Sequence, residues 1–283
     1  MNELPVLPFT GERFTPECVR EIWYEHIHRY AFAQAFAAGK YVLDAACGEG
    51  YGSALLADVA ESVVGVDISQ QAIDHARGRY ADRRNLRFEL GDATQLDVPD
   101  QSIDLVVSFE TLEHLTEHDA LIDGFARVLR DDGILLISSP DKATYTDASG
   151  FQNEFHVREL YRQELLDLLS ARFPHVRLYG QKLLFQSVLW AQDAENGPAS
   201  AASSLPDGQV QPGLAYAPLY FVAMCSRRPL PEGLPSLHLF GDREESVYAH
   251  YNHEIRKNIA AGGRIAELEA EIAALRLALA AKS

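Results

Sequence analysis

The stretch from Lys40 to Gly52, KYVLDAACGEGYG, constrains this chain more than any other: an apolar run, an Asp at its end, then glycines alternating into a helical pattern. Gly48, Gly50 and Gly52 fall where a strand must turn sharply into a helix, and a missing Cβ lets the main chain approach a bound molecule closely. Asp67 closes the next apolar run, VVGVD. An acidic side chain at the end of a second strand accepts hydrogen bonds from ribose hydroxyls, which places a nucleoside across the crevice beyond the strand ends.

Nicotinamide dinucleotides use strand-end glycines in a G-x-G-x-x-G spacing that frames a pyrophosphate, whereas this chain has G-x-G-x-G. Asp44 and Glu49 flank the turn; two carboxylates repel a pyrophosphate and suit a sulfonium and an ammonium group. S-adenosylmethionine is therefore the expected ligand, ahead of NAD and of a glycine turn that serves packing alone.

Periodicity predicts strands over 41–45, 63–67, 86–90, 103–109 and 134–138, with helical segments between them. Such alternation, with right-handed crossovers, gives an α/β, Rossmann-like, doubly wound, mostly parallel sheet whose ligand crevice lies at the strand carboxyl ends. Gly48, Asp67, Asp92 and Glu110 cluster there. A helix over 157–171 precedes two further runs, 176–181 and 219–226, and the Gly/Pro/Ser/Ala stretch 195–212 between those runs is expected to loop out.

LDAACGEGYG at 43–52, GVDIS at 65–69, GDATQLDVPDQSIDLVVSFETLEHL at 91–115 and DDGILLISSP at 131–140 resemble the successive motifs of class I S-adenosylmethionine-dependent methyltransferases. GERFTPE at 11–17, EHIHRYAFA at 25–33 and NEFHVREL at 153–160 more narrowly resemble methyltransferase domains encoded with bacterial surface-polysaccharide genes. The resemblance implies a seven-stranded sheet in which 176–181 and 219–226 form an antiparallel hairpin. It also implies that Asp92 accepts from the adenine amine, while the Ala93 amide meets a ring nitrogen; capping of the following turn is the other use of Asp92. Ile68 would offer an apolar face to the adenine. Carbonyls near Ala46 and Phe109, with Asp44 directly or through water, would hold the methionine ammonium. Arg13 is the candidate for the cofactor carboxylate, since a guanidinium makes two parallel bonds to that planar anion.

Methyl transfer to a hydroxyl requires a proton acceptor, and histidine suits that role near neutrality. His114, in FETLEHL beside Glu110 and Glu113, and His156, in NEFHVREL, are the catalytic candidates, with Glu110 binding acceptor hydroxyls or orienting His114. His28 reads as a packing residue of the N-terminal segment. Tyr24, Tyr145 and Phe155 are candidate walls for a sugar ring. No metal site is expected, because the local spacing contains neither H-x-x-x-H nor a carboxylate–histidine set.

A chain of 283 residues, 47% hydrophobic, supports one main domain with appendages, and a formal charge of −16 argues against a nucleic-acid partner. Its 3 cysteines lack C-x-x-C spacing, and no apolar h-region or membrane-length run occurs, so a cytoplasmic protein, at most peripheral to the inner membrane, is expected. The segments read as an N-terminal lid over 1–39, a methyltransferase domain over 40–228, a linker with a short helix over 229–263, and a heptad-patterned helix over 264–283. Ile265, Leu268, Ile272, Leu275 and Leu279 make a short coiled-coil seam, for a homodimer or another partner, or an amphipathic helix docking on its own domain. The pattern still runs at the last residue, as in a piece of a longer protein.

The function expected is O-methyl transfer to a sugar hydroxyl of a surface glycan or sugar intermediate. Transfer to a quinone, phenol or natural product, a dinucleotide oxidoreductase and a non-catalytic binding scaffold are the alternatives.

Overall fold

The computed structural model describes residues 21–193 and 200–281. A seven-stranded sheet has the order β3-β2-β1-β4-β5-β9-β6, built from β1 (Tyr41–Ala45), β2 (Ser62–Asp67), β3 (Leu86–Leu90), β4 (Ile103–Ser108), β5 (Leu129–Pro140), β6 (His175–Gln181) and β9 (Tyr220–Ser226). Strands β1 to β5 pair in parallel, and β9 runs antiparallel to both β5 and β6. The expected sheet and its antiparallel hairpin are therefore present.

Period-two alternation sends the central strands to two cores. On β1, Val42 packs with Tyr30, Phe32 and Ala33 of α1 (Glu21–Ala37) and Leu56 of α2 (Tyr51–Ala57), whereas its neighbour Leu43 packs with the opposite layer. That layer contributes Leu121, Ile122 and Phe125 of α4 (His118–Val128) and Leu165 and Leu169 of α5 (Arg162–Ser170). Helix α3 (Gln70–Arg79) buries Ile73 and Ala76 against Phe88.

Three boundaries differ from the sequence expectation for tertiary reasons. Helix α5 starts five residues later than expected because Val157 and Arg158 donate their N–H groups to the Glu113 carbonyl, at 2.8 and 3.0 Å, and Leu160 bridges to Asp141. Part of the stretch expected to loop out pairs with itself, β7 (Ala202–Ser204) against β8 (Val210–Pro212). Strand β5 extends back through Asp131 and Asp132, past a register shift where β4 pairs with it near Ile103.

A second unit, from Gly241 onward, carries α6 (Ser246–Ala280), one helix of 35 residues, about 52 Å long at 1.5 Å per residue. It runs unbroken through Gly262 and Gly263, so there is no boundary before the heptad stripe at 264. Helical neighbours support each other along it, as in the pairs Lys257–Glu254 and Arg264–Glu267. Among the described residues no helix is long and apolar enough to cross a membrane.

Candidate active site

The glycine turn after β1 is shaped by two separate requirements. Gly48, at φ 56°, adopts the left-handed region and donates its N–H to Asp67 Oδ2 at 2.8 Å, while Asp67 Oδ1 accepts from Ser69 N–H at 2.8 Å. One carboxylate at the end of β2 thus ties both strand-end turns together. Gly50 and Gly52 serve packing: a Cβ would lie 2.6 Å from Phe88 at the first and 2.0 Å from the Tyr30 ring at the second. Gly50 therefore does not line the crevice, contrary to expectation.

That crevice, about 390 Å³, is walled by Ala46, Cys47, Gly48, Asp67 and Ile68 on the strand-end side, by Gly91, Asp92 and Ala93 beyond β3, and by Phe109 after β4. Ile68 is 75% exposed, an apolar face with room before it. Asp92 Oδ1 accepts from Thr94 N–H and Oγ1 at 2.8 and 2.7 Å, so it caps the following 3-10 turn while also facing the crevice. Ile22, His26 and Tyr30 of α1 also line the crevice. Arg13 lies outside the described residues.

Two acidic residues sit elsewhere than expected. Asp44 is fully buried beneath the turn, where Ser53 Oγ donates to it at 2.6 Å and the Tyr30 hydroxyl at 3.1 Å. It does not line the crevice, so no direct contact with an ammonium group is available. Burial pushes its pKa up to about 7, against the two hydroxyl donors. Glu49 turns away and is held by His75 and Arg79, each at 3.1 Å, and by Tyr80 at 3.0 Å. Its charge is spent on α3, so neither carboxylate of the expected Asp44 and Glu49 pair lines the crevice.

Beyond Phe109 the wall becomes polar. Glu110 takes φ 52°, and Ser138 of β5 both accepts its N–H at 2.9 Å and donates to its Oε1 at 2.6 Å. Arg29, 2% exposed on α1, ion-pairs with Glu110 at 3.4 Å, donates to Gln181 at 2.7 Å and lies over the Tyr220 ring. Burial alone would depress the Arg29 pKa, but Glu110 and Glu25 hold it above its ordinary value. The expected Glu110–His114 pairing is replaced by these partners, because the left-handed turn aims the Glu110 side chain at β5 and α1.

The imidazole–carboxylate pair that does form joins His156 Nδ1 to Glu159 Oε1 at 2.6 Å. Asn153 Nδ2 lies 3.0 Å from His156 Nε2, and the Tyr145 ring stacks on the imidazole. His114 Nδ1 faces the Phe155 carbonyl at 3.1 Å, and the two imidazole rings meet edge to face at 5.2 Å. Of the three proposed sugar-ring walls, Tyr145 lines this crevice and Tyr24 lines a separate cavity of about 590 Å³ between α1 and β6; Phe155 lines neither. His28 packs as expected, stacked on His238 and Phe240 with Nε2 2.9 Å from His238 Nδ1.

Glu113 was not foreseen as a site residue. Its side chain is 1% exposed, neither oxygen has a hydrogen-bond partner, and burial drives its pKa well above the usual carboxylate range, with Glu110 adding to the rise. Ligand atoms of Glu113, His114 and His156 all lie within 4.8 Å of one another. Local spacing offers no carboxylate–histidine set, but folding assembles one from loops more than 40 residues apart. Glu159, three residues after His156, was the one local signal for it.

A methyltransferase-domain family model matches residues 43–137. A protein of Mycolicibacterium smegmatis named "Probable S-adenosylmethionine-dependent methyltransferase" is 37% identical over 223 residues, covering 77% of this chain and 82% of that protein. A Mycobacterium tuberculosis protein of the same description is 36% identical, covering 75% and 76%. The fold matches the YcgJ protein of Bacillus subtilis with a TM-score of 0.52 at 17% identity, over 72% of this chain and 100% of that one. With a glycine turn, a strand-end Asp and a crevice in the same order as the matched motifs, this chain belongs to the S-adenosylmethionine-dependent methyltransferases.

Proposed function

We propose that this enzyme methylates a hydroxyl of a polyhydroxylated acceptor, a sugar of a bacterial surface glycan or its precursor. The observation that carries the reading is the polar wall beside the cofactor crevice, where Glu110, Glu113, His114, Tyr145, Asn153 and His156 converge. A phenol or quinone calls for a mostly apolar slot, whereas a sugar needs several donors and acceptors and one stacking face. Two of the segments that carry the narrower family resemblance supply residues to this crevice: 25–33 gives His26 and Tyr30, and 153–160 gives Asn153 and His156.

The residues present fit S-adenosylmethionine. Bare main chain at Gly48, the carboxylate of Asp67 and the exposed face of Ile68 suit a ribose and an adenine, and Asp92 with Ala93 suits the adenine edge. Ala46 and Phe109 line the part assigned to the methionine end. When bound, the cofactor supplies an electrophilic methyl on a sulfonium. The chain's own contribution is to hold the acceptor oxygen in line against the His114 and His156 wall and to exclude water under α1.

Acceptor class is tested with the purified protein and radiolabelled methyl donor against nucleotide sugars, glycan fractions, phenols, fatty acids and amines. Label entering sugars is expected; label entering phenolics alone refutes the assignment. The cofactor assignment is tested by calorimetry with S-adenosylhomocysteine. Asp67→Ala should weaken binding roughly 10- to 150-fold, the loss of a hydrogen bond to a charged group at about 1.5–3 kcal/mol. Unchanged affinity overturns the role of Asp67. The exposed stripe Ile265, Leu268, Ile272 and Leu275 on α6 supports self-association, so sedimentation should report a dimer that Ile272→Asp dissociates.

A further inference from the structure

We propose that Glu113, His114 and His156 form a divalent-cation site that ligates the acceptor hydroxyl; this deepens the O-methyltransferase reading and rests on it.

Three independent features point to a cation. First, two imidazoles and a carboxylate present ligand atoms within 4.8 Å of one another, and this is the single such group of His, Cys, Asp or Glu among the described residues. Second, the Glu113 carboxylate is 1% exposed with both oxygens unpartnered. An ionised carboxylate in that state is strongly destabilising unless a positive charge meets it. Arg29 does not hydrogen-bond that carboxyl: its side-chain contacts go to Glu110 and Gln181, and its charge is outweighed at Glu113 by burial and by Glu110.

Third, each imidazole is already oriented from behind. His156 Nδ1–H donates to Glu159 Oε1 at 2.6 Å, and His114 Nδ1–H donates to the Phe155 carbonyl at 3.1 Å. With Nδ1 carrying the proton, each Nε2 keeps its lone pair, the arrangement that metal-bound histidines show when a carboxylate or carbonyl holds the other ring nitrogen. Asn153 Nδ2 donates to His156 Nε2 at 3.0 Å, which marks that nitrogen as the unprotonated one and is the bond a cation would replace. A base with one proton to move needs one imidazole; two imidazoles and a buried carboxylate with ligand atoms within 4.8 Å of one another make a ligand set.

Two nitrogens and one oxygen are the donor set of the facial triads of first-row divalent metals, which keep open positions for a ligand. All three residues line the same crevice as Glu110, Tyr145 and Tyr220. There an acceptor hydroxyl coordinates the cation and gives up its proton to solvent. The resulting oxygen forms its bond to the methyl carbon as the carbon–sulfur bond breaks and its electron pair returns to sulfur. Products are the methyl ether, the thioether and one proton, with no oxidant or reductant. The histidines are then ligands, and the cation does the work of lowering the hydroxyl pKa.

The test is titration of the metal-free full chain with Co²⁺, read by its d–d absorption, and with Mn²⁺, read by loss of the free-ion paramagnetic resonance signal. One equivalent of tight binding is expected. Glu113→Gln should weaken it by more than about 100-fold, and Glu159→Gln, a positioning change behind His156, by about 10- to 100-fold. Metal-free Glu113→Gln should melt close to metal-free wild type, because a neutral amide of the same shape replaces a carboxyl with no hydrogen-bond partner, so misfolding does not mimic the result. Co²⁺ binding that is absent from wild type, or equal in wild type and Glu113→Gln, overturns the site. S-adenosylhomocysteine binding to the wild type is measured in parallel: its failure overturns the methyltransferase reading, while the Co²⁺ titration decides the cation site on its own.

Discussion

Replacing Tyr30 by Phe removes one hydroxyl from the buried Asp44 and leaves Ser53 as its remaining side-chain donor. Asp44 in the folded protein titrates at about 7 against an ordinary value of 3.8, roughly three units, or on the order of 4 kcal/mol. The raised value fixes the sign: the folded state keeps a proton that the unfolded chain has lost. Stability from this group is therefore full below about pH 4 and declines as pH rises to about 7. In acid, Tyr30→Phe deletes a bond between neutral groups, worth about 1 kcal/mol; above pH 7 it deletes a bond to a charge, worth about 1.5–3 kcal/mol. The destabilisation should grow by about 1–2 kcal/mol from about pH 5.5 to about pH 8.5, pushing Asp44 up by about one further unit. Urea unfolding of both proteins at the two pH values measures this directly. Glu25 and Glu113 titrate abnormally as well, but both are present in each protein and largely cancel in the difference. A loss that is the same at both pH values, or larger in acid, refutes the claim that the hydroxyl supports an ionised Asp44.

Gly52→Ala places a Cβ 2.0 Å from Tyr30 Cζ, so the ring must shift off Asp44; thermal unfolding should show a loss of about 1–3 kcal/mol, and wild-type stability would contradict the packing described. Arg29→Met strips the positive partner from Glu110 and should destabilise by about 3–5 kcal/mol in denaturant titrations, with Glu110→Gln in the same chain recovering much of the loss. Failure of that double variant to recover would mean that Arg29 acts through Gln181 and Tyr220 instead.

The parts of this molecule legible in sequence are those set by short-range repetition. Alternating apolar residues in Val63–Asp67 and Ile103–Ser108 mark buried parallel strands, and the glycines after Asp44 mark the turn. Direction is another matter. Glu49 and Asp67 both read as crevice carboxylates, but α3 supplies His75, Arg79 and Tyr80 on the far side of the turn and captures Glu49. Spacing along the chain also favours pairing Glu110 with His114, and it is silent on Ser138 and Arg29, which come from β5 and α1 and win both ends of that side chain. The boundary expected between 263 and 264 falls beside Gly262 and Gly263, yet α6 continues through them, since two unfavourable residues cost about 2 kcal/mol against the rest of a 35-residue run.

Ile22, His26 and Tyr30 put one side of α1 against the opening through which a cofactor enters. A ligand in the crevice therefore lies against those three side chains of α1. A bound nucleoside fastens it in turn: at a hundredfold excess over the dissociation constant, occupancy adds about 2.7 kcal/mol to any opening that must first expel the ligand. Amide deuteration across residues 25–33 should slow on saturation by up to about two orders of magnitude, while fraying at the far end of α5 keeps its own pace. Slowed exchange centred on the helix that precedes the first strand would mark it as the element a bound nucleoside locks in place.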